Sequence, residues 1–358
     1  MYCGISAAAG HAFDLYDAAI AGAAPAPPVA AAVARLPLAH KNRVWLFSLG
    51  KAAHSMAAGA VEGLRRSMVG IAGGLIVAPE RAASPHAAIE AMVGEHPVPG
   101  RASFAAAQRL SELARGMRST DAVIVLVSGG ATSLVAAPMR GIAESELVDL
   151  FTLLLARGLP IGEMNAIRKR FTRWGGGRLA VAVAPASTWC FAISDVVGDD
   201  IAGIGSGPCS PDASTATEVK AMLERAGISG HLSPAMRSVL EQTHKGLHAE
   251  TPKPRHPAFA HVSCEILLRN GDALASAAAR ARELRFDVEV VAIVERRRSS
   301  LGDQLVALAA RGDACRGAVR GVRGDALRVR DRDRRDRRRR PAARRRDRPR
   351  RGAGRRRG

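Results

Sequence analysis

The sequence predicts an open α/β fold, with a mostly parallel sheet covered by helices on both faces. Three observations carry this. Apolar runs of strand length recur along the chain, as at 43–49, 122–127 and 188–193. Segments with helical spacing of apolar residues separate them. Each run stops abruptly at small, polar or charged residues: Gly50 and Lys51, Ser128 to Ser133, and Ser194 to Asp200. In open α/β folds, ligands bind beyond strand ends of this kind.

The elements follow in order. Ala12–Ala23 and Pro28–Leu38 read as two helices separated by Pro25, Pro27 and Pro28. Those prolines, with no uninterrupted apolar run of 18 residues, argue against a membrane span. Arg43–Leu49 is a strand, Lys51–Leu64 a helix and Ala72–Val77 a second strand. Pro97 and Pro99 make the EHPVPG segment an extended loop. Arg101–Arg115 is helical, Ala122–Val127 is a buried strand and Ser145–Ala156 is helical. A helix then ends near Arg173, turns at Gly175–Gly177 and resumes. Thr188–Ile193 is a strand, Asp195–Pro211 a long loop and Thr215–Ala226 a helix. A proline-rich connection over 248–257 leads to a helix at Asp272–Leu284, a strand at Val288–Val294 and a helix at Leu301–Ala310. The expected organisation is a main domain over 1–250, the start of a second, incomplete domain over 251–310, and a tail over 311–358.

Charge separates the tail from the body. Of 53 Lys and Arg and 33 Asp and Glu, residues 311–358 hold 22 arginines and 6 aspartates, leaving 31 basic and 27 acidic residues in the body. The tail contains no lysine and no aromatic residue. Its repelling charges predict disorder. Its composition is also what GC-rich coding sequence yields when read out of frame, and this is the preferred reading beyond about residue 310. A nucleic-acid-binding arm is the alternative, although stacking aromatics are missing; no specific nucleic acid is expected. The five cysteines lack C-x-x-C or zinc-like spacing, so they read as free thiols in a reducing cytoplasm.

The chemistry-bearing segments point to an anionic ligand. Gly129 and Gly130 let backbone approach a ligand, and the Ser128, Thr132 and Ser133 hydroxyls suit phosphate, although a tight turn alone also needs glycine. Neither a Walker A loop nor G-x-G-x-x-G is present. Lys51 follows Gly50 at a strand end and opens a helix, where the dipole prefers anions; it therefore reads as a phosphate or carboxylate partner, with a solvated surface lysine as the alternative. Asp195, Asp199 and Asp200 follow another strand. One suits orienting or deprotonating a hydroxyl, and another suits holding Mg²⁺ with phosphates; Asp195 and Asp199 are the candidate metal ligands. The GSGP turn around Gly207 offers a second anion nest. Arg168, Lys169, Arg170, Arg173 and Arg178 form a donor cluster for an acidic substrate, with at least two expected to face solvent. His96 is as readily a turn residue as a substrate contact, and His11, His40 and His54 have no evident partner.

Five segments in order, GKAAHSM, EHPVPG, VLVSGGATSLVAAP, IGEMNAIRKRFTRWGGGRLA and ISDVVGDDIAGIGSGPCSPD, resemble the glycerate 2-kinase family, whose members are often labelled hydroxypyruvate reductase. The resemblance runs from about residue 12 to about residue 310. It implies a Rossmann-like domain, a smaller C-terminal domain and a cleft between them. It further implies transfer of phosphate from ATP, with Mg²⁺, to the 2-hydroxyl of D-glycerate. Lys51 would be the active-site lysine and Asp195 the acid near the reacting hydroxyl. Gly50, the Ser128–Ser133 loop, Asn165, Arg168 and Gly207 would bind substrate or phosphate. The chain departs from the family pattern at Ala131 and Thr132, at Lys169 and Arg170, and beyond residue 310, where a GGRNQE-like motif gives way to arginine. That last departure implies impaired activity. The rival enzyme reading is a nicotinamide-dependent hydroxypyruvate reductase. Homodimerisation stays open.

Overall fold

The computed structural model describes residues 7–292, 318–320 and 325–331. Helices α1 (Ala7–Gly22) and α2 (Ala26–Ala34) lead into strand β1 (Arg43–Leu49) and helix α3 (Ala53–Arg66). Strands β2 (Gly73–Ala78) and β3 (Ile89–Val93) precede helix α4 (Arg101–Leu113) and strand β4 (Asp121–Val127). Helices α5 (Ala131–Leu134), α6 (Glu144–Ala156), α7 (Ile161–Phe171) and α8 (Arg178–Val183) lead to β5 (Ser187–Ile193). Beyond it lie α9 (Ala216–Arg225), α10 (Pro234–His244), β6 (Val262–Leu268), α11 (Asn270–Glu283) and β7 (Phe286–Ala292).

The six-stranded sheet has the order β3-β2-β1-β4-β5-β6, and every pairing in it is parallel. This is the strand order of dinucleotide-binding α/β folds, with its reversal between β1 and β4. Its sixth strand lies beyond residue 250, where the sequence suggested a domain boundary. Strand β4 is buried along its whole length, as a central parallel strand should be. One face packs Phe47, Leu75, Val123 and Val125 against α4, α5 and α8; the other packs Leu46, Ile76 and Ile124 against α2 and α3. A further layer joins Phe151, Ile167, Phe171 and Leu223 from α6, α7 and α9.

Three elements were not anticipated. Strand β3 and strand β6 are both edge strands with partly exposed residues, so their sequences lack the continuous apolar run of β4. Helix α10 buries only Met236 and Leu240. Two short stretches of the tail are among the described residues. Strands β8 (Ala318–Arg320) and β9 (Asp325–Asp331) pair antiparallel with each other and with β7. Leu327 and Val329 alternate with Arg328 and Arg330 there, which supplies the period of two that a strand needs. The expected helix at Leu301–Ala310 and the rest of the tail lie outside the described residues.

Length and composition alone would let Gly10–Ala34 cross a membrane. In the fold, Leu15 and Ala19 of α1 pack on Leu274, Ala277 and Ala281 of α11, while Val29 and Val33 of α2 join the core against α3. That second contact is close because α3 presents Gly59 and Gly63 to it. A Cβ at position 59 would stand 2.3 Å from the Ala26 carbonyl oxygen, and one at 63 would stand 2.6 Å from that of Ala30. Gly59→Leu is therefore expected to cost about 1–3 kcal/mol through overpacking. Gly70 faces open space, so Gly70→Ala should stay within about 0.5 kcal/mol of wild type. Chemical denaturation of both variants checks this, and equal losses would refute the close-crossing account.

Candidate active site

The switch point places the ends of β1 and β4 side by side, in register as far as Leu49 and Val127. Beyond that register the two turns are stitched together. Ser128 N–H donates to Leu49 O at 3.0 Å, Lys51 N–H to Gly129 O at 2.9 Å, and Ala52 N–H to Ser128 Oγ at 3.0 Å. Helix α3 begins only at Ala53, so Lys51 sits in the turn before it, with its side chain exposed above the sheet edge.

Three side chains converge on the glycine turn. The Asp195 carboxylate, just past β5, covers Gly129 so closely that a Cβ there would lie 2.0 Å from Oδ2. Above Gly130, which adopts φ +87°, the His96 ring and Lys51 Cε meet the same point at 3.0 Å and 3.4 Å. Burial first, then the charges of Lys51 and Arg168, push His96 below its ordinary value, partly opposed by Asp195. His96 is thus held neutral among charged neighbours.

Local chemistry fixes the His96 loop. Glu95 caps α4, accepting from Ala102 N–H at 3.1 Å, Ser103 N–H at 2.8 Å and the Ser103 hydroxyl at 2.8 Å. Glu95 N–H donates back to Ser103 Oγ at 2.8 Å. Burial raises the Glu95 carboxyl, but these donors outweigh it and hold it below the usual carboxylate range. The sequence left His96 between turn and contact; the structure brings it into the cleft. The signal was legible as a histidine held between a capping glutamate and two prolines.

The basic segment on α7 resolves differently from expectation. Lys169, Arg170 and Arg178 are not open donors for a substrate. Lys169 pairs with Asp212 at 3.4 Å, and Arg170 pairs with Asp212 at 3.7 Å and with Glu250. Arg178 donates to the carbonyls of Lys169 at 2.5 Å and Thr172 at 3.1 Å. Asp212 is 2% exposed and also accepts from Thr251 at 2.9 Å and Ser214 at 2.9 Å. These cations are consumed because burying them demands partners. Arg168 alone in this buried run has no carboxylate partner among the described residues. It is 7% exposed, lies over the Phe151 ring at 4.4 Å, and leaves its buried Nε without an acceptor. Burial lowers its pKa to about 10, so it stays charged at neutral pH.

The remaining expected residues fall around this centre. Thr132 Oγ1 and Ser206 Oγ lie 2.9 Å apart, joining the glycine turn to the 204–207 turn, and Ser133 Oγ donates to Gly130 O at 3.2 Å. Asn165 Nδ2 donates to Gly203 O at 3.1 Å, tying α7 to the Asp195 loop. Gly207 N–H is spent on Ile204 O at 2.9 Å, and Gly207 O accepts from Gly177 N–H at 2.8 Å, so this turn braces the site. Asp199 pairs with Arg269 at 3.5 Å, and Asp200 Oδ1 accepts from Ala202 N–H at 3.0 Å. No group of three His, Cys, Asp or Glu is placed to hold a metal unaided among the described residues. Two histidines set aside by the sequence have neighbours: His54 contacts Glu80 O at 3.3 Å, and His11 stacks edge-on with Phe286.

Fold and site together define a parallel α/β protein whose switch point gathers Lys51, His96 and Asp195 around a glycine turn. More specifically, the chain belongs to the family described as a domain of unknown function (DUF4147), whose model matches residues 11–241. It is 36% identical over 213 residues to D-glycerate 2-kinase of Thermotoga maritima, covering 59% of this chain and 50% of that protein. It is 32% identical over 262 residues to glycerate kinase of Homo sapiens, covering 70% and 49%. The crystal structure of a glycerate kinase from Thermotoga maritima superposes with a TM-score of 0.65 at 30% identity, over 78% of this chain and 63% of that one. The chain thus spans about half the length of the curated relatives it matches.

The buried charge cluster has a testable acid signature. Burial raises Asp212, but Lys169, Thr251, Ser214 and Arg170 outweigh it and hold its pKa below the ordinary 3.8. Its contribution is therefore full at neutral pH and lost as pH falls through that lowered value. Asp212→Asn should cost about 3–5 kcal/mol at pH 7, by leaving buried cations unpaired. As pH falls through that lowered value the gap from wild type should narrow, because the wild-type carboxylate becomes protonated as well. Denaturant titrations over a series of falling pH measure this; a gap that does not narrow towards acid would contradict it.

Proposed function

We propose that this protein is a kinase acting on a small hydroxy acid, transferring the terminal phosphoryl group of ATP to the 2-hydroxyl of D-glycerate. The observation that carries the reading is the convergence of Lys51, His96 and Asp195 over the Ser128–Gly130 turn at the β1/β4 switch point. Phosphoryl transfer needs little covalent help from protein; it needs positioning and charge stabilisation. The named kinases among the relatives and the matched structure support the same reading.

Roles follow from placement. Lys51, exposed in the cleft, balances charge on the phosphoryl group in flight. The Gly129 and Gly130 backbone lets that group approach the sheet edge, with the Ser128, Thr132 and Ser133 hydroxyls around it. Asp195 faces the same point and orients the substrate hydroxyl. Neutral His96 can accept a hydrogen bond from that hydroxyl without adding a charge. A divalent cation suits this donor set: Asp195 has no ion-pair partner among the described residues, and Mg²⁺ needs only one or two carboxylates beside phosphate oxygens and water. Asp195 would hold it, and the ion, when bound, would neutralise charge on the phosphates. Asp199, already paired with Arg269, is the weaker second ligand. The β1–α3 turn, S-L-G-K-A-A, has a single glycine where a nicotinamide enzyme of this strand order carries its fingerprint. The free thiols of Cys190, Cys209 and Cys264 fit a cytoplasmic setting.

The test is ATP- and Mg²⁺-dependent phosphorylation of D-glycerate, with 2- and 3-phosphoglycerate resolved. Lys51→Ala should lower kcat by roughly 10²- to 10³-fold, the scale for removing one charge-stabilising donor. Gly129→Ala should cost about 10²-fold by displacing the Asp195 carboxylate. A folded wild-type protein that makes no phosphoglycerate, or a fully active Lys51→Ala, would refute the proposal.

A further inference from the structure

Within the same cleft, the structure assigns a separate job to Arg168: we infer that its guanidinium is the receptor for the carboxylate of the acid substrate, and so the residue that selects hydroxy acids over neutral polyols. This rests on the kinase reading of the cleft but is tested apart from it.

The argument starts from the cost of burying charge. A guanidinium taken out of water needs compensating acceptors. Arg168, Lys169 and Arg170 are consecutive and each is more than nine-tenths buried. Two of the three have carboxylates, Asp212 and Glu250, built around them. The third has an aromatic face beneath it, a buried Nε with no acceptor, and no carboxylate within ion-pair distance among the described residues. One chain thus gives carboxylates to two neighbouring cations, although the Arg170 Nε also lacks an acceptor, and gives none to the third. Stability alone would not favour that arrangement; an arriving anion would.

The form of the receptor narrows the anion. A guanidinium is a planar fork matching two oxygens of a carboxylate, and Phe151 beneath it at 4.4 Å fixes its plane. Helix α7 is held from turning: Lys169 and Arg170 are anchored on one side, and Asn165, one turn earlier, is tied to Gly203. Arg168 is close enough to His96 for its charge to depress that histidine, which itself lies over the Gly130 turn beside Lys51. A three-carbon hydroxy acid would then place its carboxylate on Arg168 and its hydroxyl near His96 and Asp195. Lys51 and the glycine turn remain for the phosphoryl group.

Calorimetric titration of the full chain with D-glycerate, glycerol and inorganic phosphate tests this, on wild type, Arg168→Gln and Arg168→Lys. Wild type is expected to bind D-glycerate and not glycerol. Arg168→Gln should weaken D-glycerate by roughly 10- to 100-fold, the range for a lost charged hydrogen-bonding partner. Arg168→Lys, keeping the charge without the fork, should fall between. Phosphate affinity should change by less than about 3-fold in either variant.

Loss of phosphate binding with D-glycerate retained would overturn the inference. So would equal loss of both, or no change in either. Because the charge is unsatisfied in the free protein, Arg168→Gln should not lower the thermal midpoint by more than about 4 °C; a larger fall would make Arg168 a structural residue and also overturn it. If wild type ignores D-glycerate, glycolate and D-lactate are titrated next. A hydroxy acid bound by wild type and lost in Arg168→Gln would retain the carboxylate receptor while discarding D-glycerate as substrate. Binding of none of the three would overturn both readings.

Discussion

The parallel pairing of β1 with β4 is the constraint on which the rest depends. At one end it is clamped by charge: Arg43 Nε donates to Asp121 Oδ1 at 2.9 Å, and Asp121 Oδ2 accepts from Arg118 N–H at 2.8 Å. At the other end the two chains leave in opposite directions, β1 into α3 on one face and β4 into α5 on the other. The reversal opens a crevice that no later crossover has to fill. Lys51 and the Ser128–Gly130 turn stand at its rim because the strands end there. Asp195 reaches it because β5 is the next strand beyond β4. The site is a consequence of strand order before it is a matter of particular side chains.

Charge placement refines that crevice. The Asp212 cluster sits behind it and makes α7 a rigid wall, with its basic C-terminal turn fastened to the loops over 212–216 and 250–253. Burying so many charges is not a cheap route to stability, since well-packed apolar residues often do better. What the cluster supplies is register: with Lys169 and Arg170 paired, the turn of α7 that carries Arg168 is held in place.

Much of this was legible in the sequence, and the exceptions have physical causes. The strands at 43–49, 122–127 and 188–193 announced themselves because central parallel strands are buried on both faces and read as unbroken apolar runs. Their polar ends marked Lys51, Ser128–Gly130 and Asp195 as one sheet edge, which the fold makes them. Strands β3 and β6 escaped notice because an edge strand carries only half the apolar signal, as in I-E-A-M-V and V-S-C-E-I-L-L. The basic run on α7 misled because sequence shows positive charge without showing what answers it. The partners of Lys169 and Arg170 lie about forty and eighty residues downstream, in Asp212 and Glu250. No local pattern distinguishes Arg168 from its two neighbours; only burial without a partner does.

The candidate site lies wholly within the span that the family model matches. Lys51, His96, the glycine turn, Arg168 and Asp195 all fall within residues 11–241, the span matched by the family. On the reading proposed above, this chain carries its own charge recognition, although it covers about half of those relatives. Recognition and transfer make different demands. Holding a small anion requires fixed donors in a partly buried crevice, and the switch point supplies them. Moving a phosphoryl group to an alcohol instead of to water also requires that water be kept from the reacting atoms. On that reading, affinity for substrate is governed by the residues assembled here, and the ratio of transfer to hydrolysis by how well water is kept from the reacting atoms.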